Sequence, residues 1–254
     1  MKRYFLMSEP NIDSSSYTRG NVVLDGLPTE TRVAVLADVR IAGAESADLL
    51  LPDGAPIEAV FFPIRALISV TARLRDGSAF EVGTVGRQGA YGLEASFGVA
   101  TAARAAICQI DGSYAVMSRD AFLRHMEREP TFRAAVQRAY AAHLFAVEQT
   151  VTCNVAHSLG ERCARWLLTI SHQVGLRVFR VRAEFLAMML GQPEKRLAIG
   201  IGALADAGAI SYEGEVVTIR DAGLLEDAAC ECYAMLRETW ARLVEGGEGR
   251  PVSA

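Results

Sequence analysis

Five cysteines and four histidines are the side chains best suited to bind a metal or to carry redox chemistry. They are Cys108, Cys153, Cys163, Cys230, Cys232, His125, His143, His157 and His172. Cys230 and Cys232 form a C-x-C pair with no second pair nearby in the sequence, and two thiols do not complete a zinc site. The cysteines are odd in number and irregularly spaced, so we expect no disulfide framework. We expect the protein to work in a reducing cytoplasm. We interpret the C-x-C pair as ordinary packing and predict no metal and no cofactor.

Catalytic and phosphate-binding motifs are the second kind of chemistry to consider. The chain contains no G-x-S-x-G, Walker A or H-E-x-x-H motif. The glycine-rich stretch from Gly83 to Gly89 lacks the strand–helix context of a dinucleotide-binding turn and the lysine of a P-loop. Because no set of residues has the spacing of a catalytic site, we predict that the protein is not an enzyme.

The charge balance limits how the chain can meet a nucleic acid. It has 26 Lys and Arg against 30 Asp and Glu, a formal net charge of −4 over 254 residues. This balance excludes a protein that coats nucleic acid along its whole length, but it allows a local basic face. Lysine occurs only at Lys2 and Lys195, so arginine must supply most phosphate contacts.

The elements that position these residues change in type along the chain. Residues 8–21 are rich in Ser, Asn, Asp, Pro and Gly, and we expect a mobile arm at the N-terminus. From about Ala55 short apolar runs alternate with turn signals, which favours a roll or barrel. Two Asp-Gly pairs, at Asp76 and Asp111, predict tight hairpins, the second joining the strand runs at 105–110 and 114–117.

A helical pattern replaces the strands after Ser118, a plausible N-cap. A long helix is predicted from Thr131 to about Ala156, with an apolar stripe spaced near 3.5 residues. The stripe consists of Phe132, Val136, Ala139, His143, Ala146 and Thr150. It could form a dimer seam or pack on the roll, and the sequence leaves both open. Ser158 and Glu161 fit a capping box, which places a hinge near His157 and a new helix after it.

The C-terminal third has the pattern of a winged helix-turn-helix. A short amphipathic helix over 182–191 ends at a glycine, and a second helix runs from Glu194 to Ala207 after a proline. Leu197, Ile201 and Leu204 are expected to face inward in the second helix. The run 212–219 has the composition of a small hairpin. Helix, short turn, helix and hairpin together indicate a DNA-binding module.

This part of the chain resembles the bacterial Crp/Fnr transcription regulators. The resemblance rests on the runs 185–191, 204–210 and 221–233, on an interdomain helix at 161–168, and on a roll from about Phe61 to Met117 that is similar to a cyclic-nucleotide-binding domain. It covers roughly residues 30 to 240. It implies an α+β fold with an N-terminal β-roll, a long dimerisation helix and a C-terminal winged helix-turn-helix.

The resemblance also implies that the second helix of the motif enters the major groove. The implied DNA-binding residues are Arg180, Arg182, Glu194, Lys195, Arg196 and Ala198. Several features depart from the family pattern. Glu194 stands early in the helix where an arginine is usual, Gly200 and Gly202 lie in the helix interior, and Glu213 and Glu215 make the wing acidic. These departures suggest weak or altered DNA recognition.

The sensor domain departs from the cyclic-nucleotide-binding pattern too. Gly89 and Ala90 stand where such members carry Gly-Glu, and Arg104 is the arginine near enough in sequence to hold a phosphate. Thr150 is a candidate hydroxyl partner on the long helix. The candidate ligand residues are therefore Gly89, Ala90, Arg104 and Thr150, and we expect a signal other than cAMP.

Together these features predict a cytoplasmic homodimeric regulator. The expected domains are an arm (1–25), a roll (26–130), a dimerisation helix with hinge (131–157), a winged helix-turn-helix domain with C-terminal helix (158–245) and a tail (246–254). Its expected partners are a palindromic double-stranded operator, a second copy of the chain, RNA polymerase and a small-molecule effector, with no membrane. The alternative hypothesis is a diverged protein-interaction module with weak or no sequence-specific DNA binding.

Overall fold

A computed structural model describes residues 20–246 of the chain. The predictions for residues 1–19 of the arm and 247–254 of the tail lie outside the described residues. The last part of the predicted arm is corrected, because residues 20–25 are packed rather than mobile. Asn21 is fully buried, its side chain caps a short helix by accepting from the amides of Val23 and Leu24, and it donates to the Pro63 carbonyl.

Nine α-helices and ten strands make up the described chain. The helices are α1 Val22–Asp25, α2 Thr29–Leu36, α3 Arg119–Arg128, α4 Pro130–Ala156, α5 Leu159–Val174, α6 Ala183–Leu190, α7 Glu194–Asp206, α8 Ala222–Asp227 and α9 Cys232–Leu243. The strands are β1 Val39–Ala44, β2 Leu49–Leu51, β3 Ala59–Pro63, β4 Leu67–Arg73, β5 Ala79–Val85, β6 Ala105–Ile110, β7 Gly112–Ser118, β8 Val178–Arg180, β9 Ile210–Glu213 and β10 Val216–Ile219.

Two antiparallel sheets form the N-terminal roll. One has the order β1-β7-β3 and the other the order β2-β6-β4-β5. The first predicted hairpin is confirmed: β4 pairs with β5 across a turn in which Gly77 has a φ of 89°. The second is wrong, because β6 and β7 belong to different sheets. Gly112 has no positive φ; it lies against Arg65, whose carbonyl oxygen would be 2.7 Å from an added Cβ.

The long helix α4 packs on the roll and on the C-terminal helix. Phe132, Val136 and Ala139 are buried in the core of the roll, and Ala142 is buried against Leu236 and Trp240 of α9. The structure thus decides between the two uses of the predicted stripe. Its apolar members Phe132, Val136 and Ala139 serve packing within the chain, because they are buried in the core of the roll.

A second core holds the C-terminal helices together. Residues Cys163 to Tyr233 supply most of it, and the predicted inward set of Leu197, Ile201 and Leu204 is confirmed. The predicted start of α5 is confirmed, because Ser158 and Glu161 form a capping box there. Strands β9 and β10 form the wing, and β8 completes a three-stranded sheet on the other edge of β10.

The C-terminal end of α5 is pressed against the roll. An added Cβ at Gly86 would come within 2.8 Å of the Gln173 carbonyl oxygen, so only glycine allows this approach. The Gln173 side chain accepts from Thr84 Oγ1 at 2.8 Å, and Arg87 Nε donates to the His172 carbonyl. These contacts fix the helix-turn-helix domain on the roll.

Candidate nucleic-acid interface and interdomain cavity

Helix α7 presents an exposed face opposite its buried leucine and isoleucine side chains. The αL conformation of Gly191, with a φ of 60°, ends α6 and turns the chain so that α7 begins three residues later, after Pro193. Lys195 and Arg196 lie exposed in the first turn, and Ala198 is exposed beyond them. This is the part of a helix-turn-helix that contacts base edges when the second helix lies in the major groove.

The predicted phosphate-binding arginines lie at the start of α6 and on the adjoining strand. Arg180 is exposed at the end of β8, paired across the sheet with Val216. Arg182 is half-buried, forms an ion pair with Glu184, and lies with its guanidinium 5.5 Å from the centre of the Phe185 ring. An arginine already paired with a carboxylate must exchange that partner to bind a phosphate, so Arg180 is the more accessible cation.

Acidic residues reduce the positive charge of this face. Glu213 and Glu215 flank Gly214, whose φ of 61° makes the turn of the wing. Burial raises the pKa of Tyr212, and the negative charges of Glu215 and Glu194 raise it further. Glu194, Glu213 and Glu215 therefore offset part of the positive charge of Lys195, Arg196 and Arg180, which weakens the attraction of this face for a phosphate backbone.

An apolar groove lies between α6, α7 and β9. Its cavity has a volume of about 250 Å³ and is lined by Leu186, Leu197, Ile201, Ala205, Ala183, Ala198, Gly202, Glu194 and Tyr212. Farther round α7, Ile199 is 74% exposed. The helix thus carries apolar surface beside its few cations, a composition closer to protein interfaces than to strongly basic DNA-binding helices.

A small cavity separates β5 of the roll from α4 and α5. Glu81, Thr84, His143, Thr150 and Arg165 are among the residues that line it, and its volume is about 30 Å³. A cavity of this size has room for about one or two water molecules. Ligand sites for drug-sized molecules have volumes of about 300–1,000 Å³, so this cavity does not accommodate a cyclic nucleotide.

Polar groups at this cavity are partly or wholly buried and only partly satisfied. Ser69 Oγ donates to Glu81 Oε2 at 2.6 Å. Desolvation raises the pKa of Glu81 to about 8, while the Ser69 hydrogen bond and the positive charge of Arg165 oppose the rise. Arg165 Nε and Thr169 Oγ1 are buried without a hydrogen-bond partner among the described residues. Burial also lowers the pKa of His143.

The four predicted ligand residues are dispersed. Thr150 lines the cavity but donates its hydroxyl proton to the Ala146 carbonyl at 2.9 Å. Gly89 lines a neighbouring cavity of about 20 Å³, and Ala90 is buried. Arg104 lines neither cavity; it is exposed and donates to the carbonyl of Ala103. The charged residues that line the cavity are Glu81 and Arg165. Neither was among the ligand residues predicted from the sequence.

Three of the five cysteines and one histidine meet at the end of α4. The ligand atoms of Cys153, His157, Cys230 and Cys232 all lie within 4.8 Å of one another. Cys230 and Cys232, which have no second pair nearby in the sequence, therefore lie beside Cys153 and His157 in the fold. Cys153 and His157 have the spacing i, i+4 of two residues on one helix face, and this was the signal in the sequence that could have indicated the cluster.

No protein-family model and no curated protein matches the chain. Many solved structures do. FixK2 from Bradyrhizobium japonicum is 15% identical with a TM-score of 0.65, covering 76% of this chain and 98% of its own. The c-di-GMP-responsive regulator CLP of Xanthomonas campestris is 16% identical with a TM-score of 0.61, covering 76% and 99%.

A CRP-family transcriptional regulator of Thermus thermophilus is 20% identical with a TM-score of 0.62, covering 74% of this chain and 96% of its own. Among residues 20–246, no helix has both the length and the apolar character to cross a bilayer. These likenesses extend over both the roll and the helix-turn-helix. The chain therefore has the fold of the Crp/Fnr transcription regulators, a β-roll joined by a long helix to a winged helix-turn-helix.

Proposed function

We propose that this protein is a DNA-binding transcription regulator and not an enzyme. The observation that carries the proposal is the exposed first turn of α7, where Lys195 and Arg196 project from a helix-turn-helix whose other face is buried. Arg180 on β8 and Arg182 before α6 add cations from the neighbouring elements. The structural neighbours described as transcriptional regulators support the same role.

The protein acts as a homodimer in this proposal, through a face of α4 that the roll does not cover. Ala141, Leu144, Val151 and Val155 recur at spacings of three, seven and four residues. Leu144 is 49%, Val151 62% and Val155 87% exposed. This spacing is that of a coiled-coil seam, and a seam with large apolar side chains gains from burial against a second copy.

A two-fold dimer places two copies of α7 about one helical turn apart on DNA, so its operator is a palindrome. RNA polymerase and an effector are further proposed partners, with the cytoplasm as the site of action. The proposed division into a roll (26–130), a long helix with hinge (131–157) and a DNA-binding domain (158–245) agrees with two separate buried cores. The cavity of about 30 Å³ is too small for cAMP, so the proposed effector is not cAMP bound at this site.

Fluorescence anisotropy tests the proposal by measuring how the purified full chain binds genomic fragments from its source at two salt concentrations. The expected result is selection of a palindromic sequence and affinity that falls as salt rises, because counterions are released when cations meet phosphates. A folded dimer that binds none of the genomic fragments selectively, even at low salt, would contradict a sequence-specific DNA-binding role.

A second candidate function is a protein-interaction module on the same fold. The observations that favour it are the exposed Ile199, the apolar groove between α6 and α7, and the acidic wing. The two candidates differ in affinity for DNA and in sequence preference. A DNA-binding regulator loses affinity steeply with salt, whereas any residual DNA binding by an interaction module is weak and shows no sequence preference.

A further inference from the structure

The cluster of Cys153, His157, Cys230 and Cys232 joins two parts of the chain that are far apart in sequence. Cys153 lies in the last turn of α4, and His157 is the residue that caps it. Cys230 and Cys232 flank Glu231 at the start of α9. The three cysteines are buried and the histidine is half-buried. Four potential ligands from two separate segments therefore surround one point.

Two distances within the cluster match those of a tetrahedral zinc site. Zinc bonds of about 2.3 Å to sulfur and 2.0–2.1 Å to nitrogen place two sulfurs about 3.8 Å apart, and sulfur and nitrogen about 3.6 Å apart. Cys153 Sγ and Cys230 Sγ are 3.5 Å apart, and Cys232 Sγ is 3.6 Å from His157 Nδ1. All four atoms are too close together to bind different irons of an iron–sulfur cluster.

The surrounding groups orient the ligands as they do in zinc proteins. Glu231 Oε2 lies 3.0 Å from His157 Nε2, so that the carboxylate accepts from Nε2–H and leaves Nδ1 free to bind a metal. Gln149 Nε2 donates to Cys232 Sγ at 3.1 Å. A carboxylate behind the histidine and an amide behind a thiolate are the outer contacts that hold ligands in place.

We propose that Cys153, His157, Cys230 and Cys232 bind one zinc ion. Each of the three thiols releases a proton to solvent as its sulfur–zinc bond forms, and the histidine binds as neutral imidazole. Three thiolates and Zn²⁺ leave one net negative charge. All four positions are filled by protein, and the cysteines are buried, so the site is structural rather than catalytic. Soft thiolate and imidazole ligands at tetrahedral spacing select zinc over magnesium or calcium.

A disulfide between Cys153 and Cys230 is the chemical alternative for two of these residues. It would require an oxidant and would contract the sulfur–sulfur distance from 3.5 Å to about 2.05 Å. It would leave the contact between Cys232 and His157 without a role. Zinc uses all four side chains and the two outer contacts, and it needs no oxidant.

The zinc would brace the long helix against the C-terminal helix. The end of α4 and the start of α9 would be tied at the cluster, while Leu236 and Trp240 pack on α4 farther along the two helices. Because α9 also contacts the helix-turn-helix core through Tyr233, the metal would fix how α4 carries that domain. This inference does not depend on whether the protein binds DNA.

Metal analysis of the full chain, purified under reducing conditions from zinc-supplemented medium, tests the proposal. The expected content is one zinc per chain, and replacement by cobalt should give the visible d–d bands and thiolate charge-transfer band of a tetrahedral site. Cys153→Ser and Cys232→Ser should lose most of the zinc. Cys163→Ser, a buried cysteine outside the cluster, should keep it, and His157→Cys should also keep it.

Glu231→Gln keeps all four ligands and should still fold, while weakening zinc affinity about 10–100-fold in a chelator competition. Glu238→Gln, an exposed glutamate on the same helix, is the matched control and should leave the affinity unchanged. Folded wild-type protein that binds no stoichiometric zinc after reduction and incubation with zinc chloride would overturn the proposal. So would a Cys163→Ser variant that loses as much zinc as Cys232→Ser.

Discussion

The hydroxyl of Ser69 on β4 donates a 2.6 Å hydrogen bond to the carboxyl of Glu81 on β5, at the cavity between the roll and α5. Desolvation raises the pKa of Glu81 from its ordinary value of 4.5 to about 8. Arg165, buried on α5, also lines the cavity. The roll and the helix-turn-helix domain thus meet at a carboxyl group whose pKa is raised to about 8.

The raised pKa of Glu81 predicts a specific pH dependence of stability. The folded state binds this proton more tightly than the unfolded state, so its stabilising effect is complete below about pH 4.5 and is lost as pH rises through about 8. Glu81→Gln should therefore match wild type near pH 5 and exceed it at pH 9 by about 1–3 kcal/mol. Urea unfolding at both pH values measures the difference.

The matched control for this prediction is Glu58→Gln, at an exposed glutamate of the same domain. It should shift stability equally at both pH values. A Glu81→Gln variant whose difference from wild type is the same at pH 5 and pH 9 would show that Glu81 keeps an ordinary pKa.

The first turn of α7 should carry much of the DNA affinity. Removing Arg196 or Lys195 by substitution with alanine should weaken operator binding by about 5–150-fold and lower the salt slope by about 1 for each phosphate that is no longer neutralised. Arg75→Ala, in the exposed turn after β4, should leave both unchanged. Anisotropy titrations over a salt series measure both quantities. Equal effects of the Arg75 and Arg196 substitutions would exclude this face as the interface.

The exposed stripe on α4 should hold the dimer together. Val151→Glu places a carboxylate at a position that is 62% exposed in the single chain and buried in the proposed seam. The expected result is a folded monomer at micromolar concentrations by analytical ultracentrifugation, whereas Arg128→Glu on α3 should remain dimeric. A Val151→Glu protein that sediments as a dimer would move the interface elsewhere.

The contact between Gly86 and Gln173 should resist any added side chain. Gly86→Ala places a Cβ within 2.8 Å of the Gln173 carbonyl oxygen and should cost about 1–3 kcal/mol of unfolding free energy. Gly160→Ala, in α5 with no atom within 4 Å of the added Cβ, should be neutral or stabilising by up to about 1 kcal/mol. Thermal unfolding of both variants compares the two sites, and a neutral Gly86→Ala would mean that the domains are not pressed together there.

Local signals in the sequence predicted the parts of the fold that depend on neighbouring residues. The caps at Ser118 and Ser158 and the glycine end at Gly191 are where the pattern placed them. A cap requires only hydrogen bonds within one turn, so its residues appear together in the sequence. The inward face of α7 followed for the same reason, from a 3.6-residue period.

Strand pairing was harder to predict from the sequence, because an Asp-Gly pair indicates a turn but not which sheet the next strand joins. Asp76-Gly77 makes the expected hairpin, while Asp111-Gly112 carries the chain from one sheet to the other. The strands β1 and β2, which precede the first predicted strand near residue 55, were not expected. Their partners β7 and β6 lie more than fifty residues farther along the chain.

By itself, the sequence determined the α+β class, the order of roll, long helix and winged helix-turn-helix, and the basic first turn of α7. The tertiary structure alone decided that Cys153 and His157 meet Cys230 and Cys232, and that Glu81 and Arg165 share a cavity at the domain junction. The reason is physical. Helix caps and amphipathic faces depend on residues that are close together in the sequence. A cluster of potential metal ligands or a desolvated carboxyl group forms only when distant segments pack together.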